Sequence, residues 1–598
     1  MINTQYLLLN CLFSYRRLEK SLSEYMNLSK NLDDMKFDKK VKIVILPSFT
    51  LNGLDETFHV KCSEIGIRYQ SYVAGYNQYN QEILNPESDF YNFSPDITFL
   101  ILDIRSFLGD YFYFPYSISP AERKSLVKEK INELENLILQ FKNNSNSKLV
   151  ITNFNIPSYS PNGIIETKSE FGFHEMIDEM NKSLKNIAKS QNSIYVYDFN
   201  QFVSKYGEKN IFDYKQFHIG DIQISLNYIP YFAHELMSYV KPMFGINRKC
   251  IILDLDNTLW GGIVGEDCFD GIELGQTSNG KAFVEFQKHL LSLWQQGIIL
   301  AINSKNNFDD AMKVIRDHPD MILREKHFAS IQINWNDKAQ NLKQISDEIN
   351  IGLNSIVFFD DDKLNQERIK QEFPEVLTIE IPNDPSQYSS ILTNLNDFSV
   401  LQKTEEDTKR GEMYAQQRQR KQFENTVSNL DQFLKQLDIK VKIKKSNEFL
   451  IPRISQLTLK TNQFNLTTRR YQEEEIRKFS KDENFTVGCV QVLDKFGDNG
   501  VTGAYVVKKN GTSWILDTFL LSCRIIGRGV EDAMLSHILK DAKNNGIKEF
   551  KAEFIPTSKN KPAENFLSEF GFEKQDKFWV YNLNNNIKSP NHLMVEIE

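Results

Sequence analysis

Cysteine is scarce and scattered: Cys11, Cys62, Cys250, Cys268, Cys489 and Cys523 are the only six in 598 residues, and no two form a CxxC pair. That spacing excludes a zinc-cluster or disulfide framework and fits a reducing cytoplasm. Long apolar runs are also missing. No stretch reaches the roughly 18–20 apolar residues of a membrane-spanning helix, and the short run at residues 6–9 has no basic residue before it and is broken by Asn10. No signal peptide is expected. Nor is there an excess of positive charge. With 71 Lys+Arg against 79 Asp+Glu, the net charge of −8 offers no broad basic field to nucleic acid or an anionic membrane. Small molecules or proteins are the expected partners. What is present is 41% hydrophobic residues, enough for several cores over a length that suggests three or four domains.

Residues 1–40 read as an amphipathic docking helix, with Leu18, Leu22, Tyr25 and Met26 forming a stripe. From residue 41 the pattern changes. Strand-like runs at 41–46, 97–104, 148–152 and 193–199 alternate with helical stretches at 121–139 and 175–187, which predicts a doubly wound α/β domain over 41–245. Ser48 follows the first of these strands, and Gly75, Asn153 and His218 come later. In this the segment resembles the SGNH-type esterases. It departs from them in reading Leu102-Asp103-Ile104-Arg105 where that family has an Asn, and in a wider Asp213 to His218 spacing. A scaffold or recognition role is the expectation, with a working Ser/His site as the alternative.

The stretch 249–275 is the point around which the rest of the chain is organised. Cys250, Ile251, Ile252 and Leu253 suit a strand buried on both faces, and the run ends on Asp254, with Asp256 and Thr258 just beyond. Carboxylates at the carboxyl end of a parallel strand lie where open α/β sheets bind ligands. Phosphoryl transfer suits them: Asp254 as nucleophile, Asp256 as acid, and Mg²⁺ to offset the crowded negative charge. The bland alternative for a bare DxD is a capped β–α turn. Further parts appear in order. Strand 298–302 runs to Ser304; Lys338 falls in the first turn of a helix, where the dipole disfavours a cation unless an anion is near. Strand 355–359 ends on Asp360, Asp361 and Asp362. The metal ligands expected are Asp254, Asp256, Asp360 and Asp361.

Asp, Ser, Lys and Asp-Asp at successive element ends resemble the four-motif layout of haloacid-dehalogenase-like (HAD) phosphotransferases. The stretch between Asp254 and the next strand leaves no room for a large cap, so an open, cap-less Rossmann-like domain is expected over 246–400. Residues 401–437, charged and glutamine-rich, read as a solvated connecting helix with Met413 and Tyr414 as docking points.

A third domain is expected over 438–585. A strand running into Cys523-Arg524-Ile525-Ile526-Gly527-Arg528-Gly529 and then a helix would set backbone N–H groups around an anion. That segment resembles the pyrophosphate loop of GNAT-type acetyltransferases, which implies a mixed α/β fold with coenzyme A or carrier-borne phosphopantetheine held by Arg524, Gly527, Arg528 and Gly529. Cys523 precedes an Arg near a helix N-terminus, a setting that favours thiolate. An acyl-thioester role and a buried structural thiol are both open for it.

DLDNTLWGGIVGED, AINSKN, HPDMILREKHF, INWNDKAQNLKQI, VFFDDDKLNQER, NQFNLTTRRY, FGDNG, DTFLLSCRIIGRG and AEFIPTSKN together resemble FkbH-like glyceryl transferase/phosphatases. Asp362, Lys363 and Asn365 depart from that family's usual Asn-Pro and Glu. The resemblance implies that Asp254, Asp256, Ser304, Lys338 and Cys523 serve in moving a glyceryl group from 1,3-bisphosphoglycerate to an acyl carrier protein with loss of phosphate. The alternatives are a stand-alone small-molecule phosphatase or acyltransferase, for example in polysaccharide synthesis, and a scaffold with an inactive HAD site.

Overall fold

The computed structural model describes residues 20–32, 37, 39–403, 405–424, 429–511, 513–557 and 559–598. The chain divides into two compact units, one ending at Val240 and the other beginning at Lys241. Among the described residues no helix is long and apolar enough to cross a membrane.

The first unit is built on five parallel strands: β1 (Lys39–Pro47), β2 (Ile67–Val73), β3 (Ile97–Ile101), β4 (Lys148–Thr152) and β5 (Ile194–Tyr197). Their order is β2-β1-β3-β4-β5. β3 is buried along its whole length, as a strand covered by helices on both faces must be. The helix Pro120–Asn144 starts on a Ser119/Glu122 capping box with Pro120 in its first turn, and it lays Leu134, Leu137 and Ile138 on the sheet. The helix Phe173–Ser190 adds Met176, Ile177 and Met180 to the same core. Of the expected docking helix, Leu22–Ser29 is described, with Tyr25 buried and Met26 exposed; Leu18 lies outside the described residues.

The second unit holds two sheets. The first is again all parallel: β6 (Cys250–Leu253), β7 (Ile299–Ser304), β8 (Phe328–Ile333), β9 (Ile356–Asp360) and β10 (Leu377–Glu380), ordered β10-β9-β6-β7-β8. Between β6 and β7 the chain forms only the helices Val264–Gly271 and Ser278–Gln295. No further domain is inserted there. The second sheet is mixed, with β11 (Lys440–Lys445), β12 (Phe464–Asn465), β13 (Phe485–Asp494), β14 (Gly497–Asn510), β15 (Ser513–Leu521), β16 (Glu549–Ala552), β17 (Glu573–Gln575), β18 (Phe578–Asn582) and β19 (Met594–Ile597). It runs β17-β18-β16-β15-β14-β13-β11-β19, and β12 pairs with the end of β15. The helix Val530–Asn544 buries Met534, Leu535, Ile538 and Leu539 against it.

The charged segment after residue 401 is not a solvated connector. Its helix Arg410–Glu424 packs between the two sheets of the second unit. Tyr414 joins Cys250, Ile252 and Phe358 in the core of the parallel sheet. Arg420 forms two hydrogen bonds to Asp494 of β13, at 2.7 and 2.8 Å. Gly411 is required where the helix meets Trp294, because a Cβ there would lie 2.5 Å from the indole.

Candidate active site

The four predicted elements of the central domain meet at the carboxyl edge of its parallel sheet. Asp254 follows β6 directly, Ser304 ends β7, Lys338 opens the helix Lys338–Glu348 beyond β8, and Asp360 ends β9. Strands buried on both faces force their polar residues to the ends, which gathers these groups at one edge. Lys338 Nζ lies 2.5 Å from Asp254 Oδ2 and 2.6 Å from Asp360 Oδ2. All three side chains are almost fully buried. Burial by itself would lower the Lys338 ammonium's affinity for its proton, but the two carboxylates outweigh it and hold the group charged.

Asp254, Asp360 and Asp361 can bring one oxygen each within 4.8 Å of one another. Burial, together with the charge of Asp254, pushes Asp360 up to about 7 and Asp361 up to about 6. Three hard oxygen donors whose charge one lysine only partly offsets are a donor set that fits a small divalent cation. Asp360 is fixed by the Asp362 N–H on Oδ1, at 2.9 Å, and by Gln366 Nε2 on its carbonyl, at 2.6 Å. Asp362, one of the departures from the family pattern, caps the following helix through the Leu364 N–H.

Asp256 does not join that trio, contrary to the expected ligand set. Its Oδ1 accepts from Trp260 Nε1 at 2.9 Å and the Val264 N–H at 3.1 Å, and its Oδ2 from Asn306 Nδ2 at 2.8 Å. Three donors turn the carboxylate away from the other acids. Burial raises its pKa, and Asp254 adds to the rise against those hydrogen bonds. A carboxyl that keeps its proton more readily than usual suits a general acid. Asn306, which aims this group, is not singled out by the sequence, although it lies two residues past Ser304 at the same strand end. Ser304 is buried, and so is Thr258, whose Oγ1 has no hydrogen-bond partner among the described residues.

Among the described residues Ser48 and His218 share no hydrogen bond, although the Thr50 N–H donates to the Asp221 carbonyl at the end of the His218 helix, at 3.1 Å. The Ser48 N–H is spent on the Ile101 carbonyl at 2.9 Å, and Ser48 Oγ accepts from the Asp103 N–H at 2.8 Å. Asn153 is tied to Asp198 and Asn200. His218 is exposed on the short helix Tyr214–Gly220, which Asp213 caps through the Gln216 N–H.

At the third domain the expected anion loop is filled by the chain itself. Gly527 and Gly529 have the positive φ values of 78° and 80° that the turn requires. Yet the Gly527 N–H donates to Glu531 Oε1 at 3.0 Å, so a carboxylate already occupies the place of a phosphate. Arg528 turns inward to Gln417, at 3.0 Å, and Asp494, at 3.4 Å, while Arg524 lies against Met413 and Ser522. His592 covers Gly529 and donates to the Arg528 carbonyl at 2.9 Å. This loop does not fit coenzyme A or phosphopantetheine. Cys523 Sγ donates to the Asn350 carbonyl at 3.3 Å, and burial pushes its thiol up despite Arg524 and Lys249. The helix that follows begins only at Val530, so Cys523 lies outside its first turn, and desolvation outweighs the two cations: it is no ready thiolate.

Residues 42–241 match the family model described as FkbH, N-terminal domain. No curated protein matches the chain. The N-terminal part of the protein BF1531 from Bacteroides fragilis, solved as a portion containing a phosphatase domain complexed with Mg, is 28% identical with a TM-score of 0.60, over 64% of this chain and 99% of that one. A putative acetyltransferase of the GNAT family from Desulfovibrio desulfuricans is 11% identical with a TM-score of 0.20, over 24% of this chain and 99% of its own. The ribosomal-protein-S18-alanine N-acetyltransferase from Escherichia coli is 12% identical with a TM-score of 0.19, over 24% and 94%.

Proposed function

We propose that this FkbH-like chain, whose residues 42–241 belong to the FkbH N-terminal domain family, is a Mg²⁺-dependent phosphohydrolase that removes the phosphate from a glyceryl group as it is loaded onto an acyl carrier protein. The observation that carries the reading is the Lys338 bridge between Asp254 and Asp360, with Asp361 alongside. Asp254, Asp360 and Asp361 would hold Mg²⁺, which when bound supplies Lewis-acid charge against the phosphate oxygens. Mg in the Bacteroides fragilis phosphatase structure supports that choice of metal.

Asp254 attacks phosphorus, the bond to the leaving oxygen breaks, and Asp256 gives that oxygen its proton. The aspartyl phosphate then yields to water, which Asp256, now ionised, relieves of a proton. Lys338 offsets the charge of Asp254 and Asp360 so that an anionic substrate can approach, and Ser304 stands at the neighbouring strand end to take a phosphate oxygen. The glyceryl donor is 1,3-bisphosphoglycerate: the carrier thiol takes the acyl carbon with release of one phosphate, and Asp254 removes the other. The family match over the first unit and the absence of a cap support a substrate brought in on a protein.

The test incubates the protein with Mg²⁺, 1,3-bisphosphoglycerate and a holo acyl carrier protein, and weighs both proteins intact. The carrier is expected to gain an unphosphorylated glyceryl group with wild type and with Cys523→Ala, and a phosphorylated one with Asp254→Asn. Hydrolysis of a small phosphoester with no mass gained by the carrier would sink the carrier reading and leave a small-molecule phosphatase.

A further inference from the structure

Four large apolar side chains stand exposed around the reaction centre, and neither the core nor the chemistry uses them. They are Ile263 at 40% exposure, Phe308 at 48%, Trp335 at 70% and Leu364 at 81%. Ile263 lies in the loop after β6 that carries Asp254 and Asp256. Phe308 follows β7 two residues past Asn306, Trp335 stands between β8 and Lys338, and Leu364 comes soon after Asp360 and Asp361. Four adjacent strands, β9-β6-β7-β8, thus each contribute one. Scattered exposed apolar residues need no explanation, but one from each of four adjacent loops at one sheet edge does.

Trp335 is also held in place. Its indole N–H donates to Asn307 Oδ1 at 3.2 Å, which ties the loop after β8 to the loop after β7. The neighbouring Asn306 aims Asp256. The indole is therefore positioned by the same short segment that positions the acid.

The scale of the rim limits its occupant. Adjacent strands lie about 4.8 Å apart, so loops on four of them extend over about 14 Å. A three-carbon phosphoester is much smaller than that, whereas a helix with its side chains is about 10–12 Å across. Four apolar anchors are on the scale of the handful of residues that carry most of the energy of a docking surface. We propose that Ile263, Phe308, Trp335 and Leu364 form a docking rim for the helical carrier protein that presents the phosphorylated group, and that the rim sets the preference for protein-borne over free substrate. This rests on the phosphohydrolase reading.

The experiment compares kcat/KM for a holo acyl carrier protein loaded with 3-phosphoglycerate as a thioester and for p-nitrophenyl phosphate, using wild type, Trp335→Ala and Leu364→Ser. The ratio of the first to the second is expected to fall by about tenfold or more in each variant, mainly through KM on the carrier substrate, as removal of an interface anchor does. Leu364 is so exposed that its replacement leaves folding aside. An unchanged ratio in both variants, with both substrates turned over by wild type, overturns the rim proposal alone. Failure of wild type to turn over either substrate overturns the phosphohydrolase reading, and the rim falls with it.

Discussion

Lys338 bears more of the site's electrostatics than any other single residue. With its side chain 4% exposed, between Asp254 and Asp360 at 10% and 0%, it is, among the described residues, the one cation ion-paired with these two desolvated carboxylates. Removing one partner of such a buried group leaves uncompensated charge and costs about 3–5 kcal/mol. Lys338→Met, which keeps the chain length and loses the charge, should therefore lower the unfolding midpoint sharply in EDTA. Mg²⁺ should restore part of the loss, because a cation bound by Asp254, Asp360 and Asp361 would replace the missing charge and bind only the folded state. Phosphate release should stay low even with Mg²⁺. Thermal unfolding with and without the metal checks this, and an equal midpoint drop in both conditions would count against the trio as a cation site.

At the scale of elements, the helix Arg410–Glu424 makes the second unit one body. Its sequence carries many charged and glutamine residues, which by local pattern alone suggest a solvated face. The mismatch has a plain physical source: Arg420 is buried against Asp494, a residue on β13 far along the chain, and no local pattern reveals that pairing. The candidate catalytic groups are legible for the opposite reason. Asp254, Ser304 and Asp360 each sit where an apolar strand stops, and Lys338 stands out as a cation at a helix start, so each signal is local. The two doubly wound sheets are legible through the same strand and helix alternation. Arg420→Leu should cost up to about 3–5 kcal/mol, the lower part of that range if the longer Arg528 contact at 3.4 Å keeps Asp494 paired, whereas Arg420→Leu with Asp494→Leu should cost less than the two single changes together. Urea unfolding of the three variants measures the coupling; strict additivity would mean the bidentate pair does not hold the helix in place.

Over the whole molecule, the two chemistries suggested by the sequence lie at opposite ends of one strand. Asp254 follows β6 and Lys249, whose charge acts on Cys523, precedes it, so about 13 Å of strand separates the carboxyl edge from the amino edge near the thiol. A single small substrate cannot touch both. The Arg524 to Gly529 loop misleads because Arg-x-x-Gly-x-Gly does describe its backbone, but the groups that fill it come from outside the motif. Glu531 in the first turn of the next helix takes the Gly527 N–H, favoured there by the helix dipole, and His592 closes over Gly529. Burial raises the Glu531 carboxyl against the pull of the Gly527 and Gly529 N–H groups, so its hold on the loop is through hydrogen bonds as much as charge. Coenzyme A at millimolar concentration is therefore expected to leave the thermal midpoint of the full chain unchanged. Glu531→Ala frees the Gly527 N–H and removes the repelling carboxylate, and a coenzyme A-dependent rise in midpoint should appear only in that variant. A comparable rise with wild type would show that the loop opens to the cofactor unaided, and the self-filled reading of this domain would be wrong.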